Sequence, residues 1–184
     1  IAHNGYVGIN AQSPDAPLTI HNSSDPEIRF GYSSSQDHRI NWDSSKVFID
    51  ADPENANNNS AIGFRIDGTE AARFDASRNL LVGKTSSSSG VAGHKFSPTG
   101  AQESTVDGGL VAYFNRLSSD GEIVRFDKAN AQVGSIGAFN TVMYFAGPNS
   151  STGGFRIDST GSNGVIMPTT NTGANRDAAT DLGF

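Results

Sequence analysis

Asp50, Asp52 and Glu54 form the densest run of carboxylates in this chain, and Asp25/Glu27 and Asp120/Glu122 repeat the same spacing. Two carboxylates facing each other across a groove are the equipment of glycoside hydrolysis: one protonates the leaving oxygen, the other attacks or activates water. All three groups fall in or beside turn-forming sequence, where an aspartate closes its own loop through side-chain-to-backbone hydrogen bonds. The turn role is therefore the expectation. Residues 50–55, DADPEN, also alternate oxygen ligands as a calcium loop does, but the sixth position is not glycine. Ile62 stands nearby where a bidentate Glu would be wanted. His3, His21, His38 and His94 make no pair with metal-ligand spacing, although three copies around an axis could build a three-His site from one position. Lys84-Thr85-Ser86 lacks the upstream glycines of a phosphate loop and reads as part of a Ser-rich connector. Trp42, Tyr32 and Tyr113 have the chemistry to stack on sugars, but burial in strands is the simpler expectation. Nothing resembles a nucleophile elbow. No catalytic residue, metal or cofactor is assigned, and the chain does not read as an enzyme.

Composition explains why chemistry is scarce. Of 184 residues only 35% are apolar, while Ser, Asn, Gly and Pro together fill more than a third of the chain. A lone compact domain of that make-up buries too little surface to offset its chain entropy. Eleven Phe, four Tyr and one Trp, set in regularly punctuated segments, argue against disorder. The remaining solution is β structure that borrows its core from other chains. A net charge of −6 disfavours nucleic-acid binding, which needs basic patches. Cysteine is absent, so no disulfide framework exists. No apolar run approaches the ~18 residues of a spanning helix, and no membrane insertion is expected. A start at Ile1 instead of Met suggests a fragment or a processed chain.

Period-two alternation between Asp/Asn/Gly turns writes the elements. Residues 114–137, FNRLSSDGEIVRFDKANAQVGSIG, predict two successive hairpins: a strand over 114–117, a turn at 119–121, a return over 122–127, a turn at 128–130 and a return over 132–136. Val124 and Phe126 fall on one face, Ile123 and Arg125 on the other. Residues 64–67, 71–75 and 80–83 predict one meander, and 28–32, 39–42 and 46–50 another, with 43–45 as a turn. Residues 51–60 read as a polar loop, 84–90 as a flexible connector and 91–109 as an irregular, weakly paired passage. Strands follow at 142–146 and 155–158. No helix longer than two turns is expected.

Three echoes run along the chain in order: GFRID at 63–67 and 154–158, the Val-Gly of 7–8 and 82–83, and EIRF at 27–30 against EIVRF at 122–126. They suggest two related modules stacked as an array. The division is 1–83 as a first β module, 84–109 as connector and irregular passage, 110–167 as a second β module and 168–184 as a tail. Each strand carries a small apolar set that nothing else in the chain is large enough to cover. Three copies around an axis would cover those sets and close the sheet edges. The shared core is assigned to Val7, Ile9, Ile28, Phe30, Phe64, Ile66, Phe126, Ile136, Phe155 and Ile157. The fold class is thus all-β, an elongated homotrimeric fibre of hairpin and meander modules with interleaved or prism-like sheets.

Four stretches carry a family resemblance: GYVGINAQSPDAPLTI at 5–20, FRIDGTEAARFDASRNLLVGK at 64–84, the hairpin sequence at 114–137 and GANRDAATDLGF at 173–184. Together they resemble the shafts of bacteriophage tail fibres and tailspikes that end in a self-cleaving, endosialidase-type intramolecular chaperone. The chain stops before the chaperone's own motif, so no self-cleavage residue can be carried over. The resemblance implies a virion tail-fibre segment with other tail proteins as neighbours and a host-surface glycan or protein as target. Loops at 51–60 and 138–152 are the expected outward contact surfaces, through Asp52, Glu54, Asn57, Asn58, Asn140 and Asn149. Two alternatives stay open: a polysaccharide-degrading tailspike, and a bacterial surface adhesin-like fibre.

Overall fold

The computed structural model describes residues 7–9, 18–20, 27–33, 36–43, 45–53, 55, 57–149, 151–158 and 164–176. Among them the chain is all-β, without a helix. It divides into two units, Ile1–Val111 and Ala112–Phe184. The first unit opens with a parallel pair, β1 (Val7–Ile9) against β2 (Leu18–Ile20), with Val7 in register with Leu18 and Ile9 with Ile20 along the backbone. A three-stranded antiparallel meander follows: β3 (Glu27–Ser33), β4 (Gln36–Asp43) and β5 (Lys46–Ala51). Its register lines Ile28, Ile40 and Ile49 in one row across the sheet. Alternation then sets Val47 on the same side. All four side chains are exposed.

The next sheet has five antiparallel strands in simple succession: β6 (Ile62–Ile66), β7 (Thr69–Phe74), β8 (Leu80–Val82), β9 (Gly93–Phe96) and β10 (Gln102–Thr105). Asp67 and Gly68, both at positive φ, form the two-residue turn between β6 and β7. Paired positive φ values match the twist of the flanking strands, and Asp-Gly tolerates them. Asp67 thus belongs to the turn and not to the strand expected over 64–67. A second difference is larger. Residues 91–109 are not an irregular passage, because β9 pairs with β8 and β10 pairs with β9. The short, polar runs GHKF and QEST hid these strands: they lack the apolar alternation that marks a half-buried strand. Nor does 84–90 hang free. Lys84 is buried with Nζ bonded to the Ser88 carbonyl at 2.8 Å, and Thr105 Oγ1 bonds the Ser89 carbonyl at 3.0 Å.

The two faces of this sheet are unlike. One carries the row Ile62, Phe74, Leu80, Phe96 and the row Phe64, Ala72, Val82, by the strand register. The other carries Arg65, Glu70, Arg73, Lys95 and Glu103 around Leu81, which is wholly buried. Ala71 is the reason Glu70 and Arg73 meet. Three residues apart, they would point to opposite faces of a regular strand; the register slips there, and a bulged residue restores them to one face. Arg73 Nη2 then donates to Glu70 Oε2 at 2.6 Å. The charged side thus shields a core residue, whereas Phe64, Phe74, Val82 and Phe96 on the apolar side are exposed.

The second unit is another five-stranded antiparallel meander: β11 (Gly121–Lys128), β12 (Ala131–Phe139), β13 (Val142–Ala146), β14 (Gly154–Asp158) and β15 (Val165–Thr169). Of the two hairpins expected in 114–137, the second is present, closed by Ala129 and Asn130 at positive φ. The first is not. Residues 114–117 form no strand. Arg116 turns back on the loop instead, donating to the Ser119 carbonyl at 2.8 Å and the Glu122 carbonyl at 3.1 Å.

One face of this sheet holds Tyr144, Arg156 and Ser135, all buried. The turn after β15 folds onto it: Arg156 Nη1 reaches the Gly173 carbonyl at 3.1 Å and Nη2 pairs with Asp158 at 2.6 Å. Tyr144 lies so close over Gly137 that a Cβ there would stand 2.4 Å from its ring. The opposite face carries Val124, Phe126, Ile136, Met143, Phe145, Phe155, Ile157 and Ile166 by register and alternation. Phe145 and Phe155 stack there with ring centroids 5.1 Å apart. Phe126, Met143, Phe155, Ile157 and Ile166 are nonetheless exposed.

The repeated pentapeptide does not occupy equivalent places. In the first unit its first four residues lie in β6, an end strand among the described residues, and Asp67 enters the turn; in the second all five form β14, between β13 and β15.

Candidate functional site

The polar loop between β5 and β6 is built around Asp52. Its backbone is left-handed, at φ 55°, and its side chain is buried. Oδ2 accepts from the Asn57 N–H at 2.7 Å and from Ser60 Oγ at 3.0 Å, while its carbonyl accepts from the Asn55 N–H at 2.9 Å. An aspartate so placed ties a loop together, which is the Asx role its sequence context suggests. The expectation that Asp52 faces outward is therefore corrected. Asn57 and Asn58 are exposed, and Glu54 lies outside the described residues.

A cleft of about 480 Å³ opens beside this loop, lined on its polar side by Asp52, Asn57 and Arg78 and on its apolar side by Ile49, Ile62 and Phe74. Arg78 belongs to the turn between β7 and β8, where it holds φ 66°. That turn is fixed by Asp75. Its Oδ1 accepts from the Ser77 and Asn79 N–H groups, both at 2.9 Å, and Oδ2 from Asn79 Nδ2 at 2.9 Å. Burial pushes the Asp75 carboxyl up, but the Asn79 side chain, the Asn79 and Ser77 backbone donors and nearby Arg73 together outweigh it. The net result is a carboxyl that titrates below its ordinary range. Chemically, the cleft offers amide, carboxylate and guanidinium groups beside apolar surface, a lining suited to a hydroxyl-rich ligand.

Residues 138–152 are not one loop, since β13 runs through them. Asn140 and Asn149 stand beyond opposite ends of that strand, roughly 17 Å or more apart by strand rise. Both are exposed and both serve turns. Asn140 holds φ 53° and its N–H donates to Asp120 Oδ1 at 2.8 Å; Asn149 accepts from Thr152 Oγ1 at 2.8 Å and from the Ser151 N–H at 3.0 Å. Asp120 is thereby a turn ligand. Tyr113 is 77% exposed, against the expectation of strand burial. His94 Nδ1 pairs with Ser104 Oγ at 3.0 Å across β9 and β10, His38 is exposed, and His3 and His21 lie outside the described residues. Among the described residues, no three His, Asp or Glu side chains converge as a cation site requires.

Of the ten positions assigned to a shared core, Ile9, Ile28, Phe64, Ile66, Phe126, Phe155 and Ile157 are exposed and Ile136 is half-buried. The side chains of Val7 and Phe30 are outside the described set. Sequence reasoning missed Arg156 and Tyr144, the actual interior of the second unit. An Arg in GFRID looks like a solvated strand residue, and only the glycines that admit the Tyr144 ring, Gly137 and Gly173, hint at close packing. Compared with protein-family models, with curated proteins and with solved structures, the chain matches none.

Proposed function

We propose that this chain is a structural segment of a phage-like tail fibre, a parallel homotrimeric shaft that holds or contributes to a host-contact surface. One observation carries the reading: each of the three antiparallel sheets keeps one apolar face exposed in the single chain. Single exposed apolar residues are ordinary, but contiguous faces of Ile and Phe mark surfaces that another chain covers. Covering a half-exposed Ile or Phe stabilises an assembly by about 1 kcal/mol. Several such residues per sheet give identical copies ample drive to associate. The polar side of the β6–β10 sheet, with the Arg73–Glu70 and Lys95–Glu103 ion pairs, then stays on the outside. The four stretches that resemble tail-fibre shafts supply the choice of a virion fibre among possible oligomers.

In this reading the mechanism is mechanical and multivalent: three chains present each contact loop three times, so weak contacts sum to useful avidity. Asn57, Asn58 and the adjoining cleft are the host-contact candidates, with a surface glycan as target. The test has two parts. A short amine-reactive cross-linker applied to dilute chain should give a ladder ending at three chain masses. Labelled trimer should bind some members of a bacterial panel, and Asn57→Ala with Asn58→Ala should weaken that binding at least several-fold. A ladder that never leaves the single-chain band sinks the shaft; unchanged binding by the double variant removes the loop from host contact.

A further inference from the structure

We propose that residues 112–117 are a strand that completes the sheet of a second copy of this chain, laid along the open edge of that copy's β11. The inference rests on the oligomeric reading above and names the element through which copies would interlock. AYFNRL is strand-forming sequence, rich in aromatic and apolar residues. In the single chain it belongs to no ladder, and none of its backbone groups joins a turn bond among the described residues. Its side chains are among the barest in the molecule: Tyr113 is 77%, Phe114 66% and Leu117 88% exposed. A solvated loop would carry polar residues there, and a lone segment gains nothing by displaying three large apolar groups to water.

The complementary half lies in the same unit. Among the described residues β11 pairs with β12 on one side only, so its other edge is open from Ile123 to Lys128. Such an edge is a template for an added strand. The obvious occupant, the segment's own hairpin return, is obstructed at its root. The Arg116 guanidinium is bonded to the Ser119 and Glu122 carbonyls, and its carbon lies 3.1 Å from where a Gly121 Cβ would be. The Glu122 carbonyl at the start of β11 is thus held by a side chain and not by strand backbone. The edge from Ile123 to Lys128 stays open. Among the described residues one molecule thus holds an unpaired segment and an open edge that are not joined to each other, and identical copies would satisfy both at once.

The chain has no cysteine, so engineered pairs report cleanly. Two differently tagged full-length chains are co-expressed, one with a single cysteine scanned through Tyr113→Cys, Phe114→Cys, Asn115→Cys and Arg116→Cys, the other with Arg125→Cys. A disulfide forms only when the Cα atoms come within about 7 Å. Expected is a trimer by sedimentation, with a mixed-tag disulfide from at least one scanned position, mapped by mass spectrometry of the joined peptides. A second measurement, amide exchange on the unmodified chain, should show 112–117 protected at least ten-fold over an unpaired segment. If the trimer forms but no scanned position gives a mixed-tag disulfide, and 112–117 exchanges as an unpaired segment does, the exchange of strands is wrong and the shaft reading stands. If only monomer is found, both fall.

Discussion

Ala129 occupies the left-handed first position of the β11–β12 turn, at φ 52°, and its side chain is exposed. A left-handed backbone costs a residue with a Cβ about 1–2 kcal/mol, and asparagine less. Ala129→Asn should therefore stabilise the second unit by about 0.5–1 kcal/mol, read as a higher denaturant midpoint at unchanged slope. Gly137→Ala should do the reverse. The added methyl would meet both the Tyr144 ring and the Gly121 carbonyl, at 2.4 and 2.5 Å, and neither can move cheaply. A loss of about 1–3 kcal/mol is expected from such overpacking. Asp75 yields a pH signature. Its folded pKa is depressed, so its contribution is complete above the unfolded value, about 3.9. That contribution disappears as pH falls through the lower folded value. Asp75→Asn should be less stable than the parent at neutral pH, with the difference in melting temperature shrinking below about pH 4. A difference constant down to acid pH would show that the charge does not matter.

Strand existence was legible wherever apolar alternation was strong. Meanders stand around Ile28–Ile40–Ile49 and around Phe64, Phe74 and Leu80 where period-two spacing puts strands, with the second set of bounds shifted by one or two residues. It failed for GHKF and QEST, whose pairing is held by backbone ladders and by cross-strand contacts such as Lys95–Glu103 and His94–Ser104. It also overshot at 114–117, where strong local propensity finds no partner in its own chain. The polar loop at 51–60 was readable as a loop, but not the inward turn of Asp52, because an Asx bond and an exposed carboxylate look alike in sequence. At this scale the apolar faces make a prediction. Phe64→Asp or Ile157→Asp, at exposed strand positions, should be nearly silent in a monomer, within about 0.5 kcal/mol. In a trimer that buries them, each should abolish assembly by stranding a charge in an apolar interface. Size-exclusion chromatography of the variants distinguishes the two.

At the scale of the whole molecule, interior apolar packing is sparse. Among the described residues only Leu81 and Tyr144 are fully buried apolar side chains, one in each unit. A globular domain rests on a connected apolar core; here the largest apolar surfaces face out. The proposed trimer resolves that imbalance, and it also accounts for the low apolar content, since a core shared among three chains asks less of each. Stability of the assembly should then depend on chain concentration, as obligate oligomers do. Sedimentation equilibrium of the purified chain tests this most directly. The account predicts a single species at three times the 19.3 kDa chain mass. A stable, folded species at one chain mass, with the same sheets intact, would contradict it.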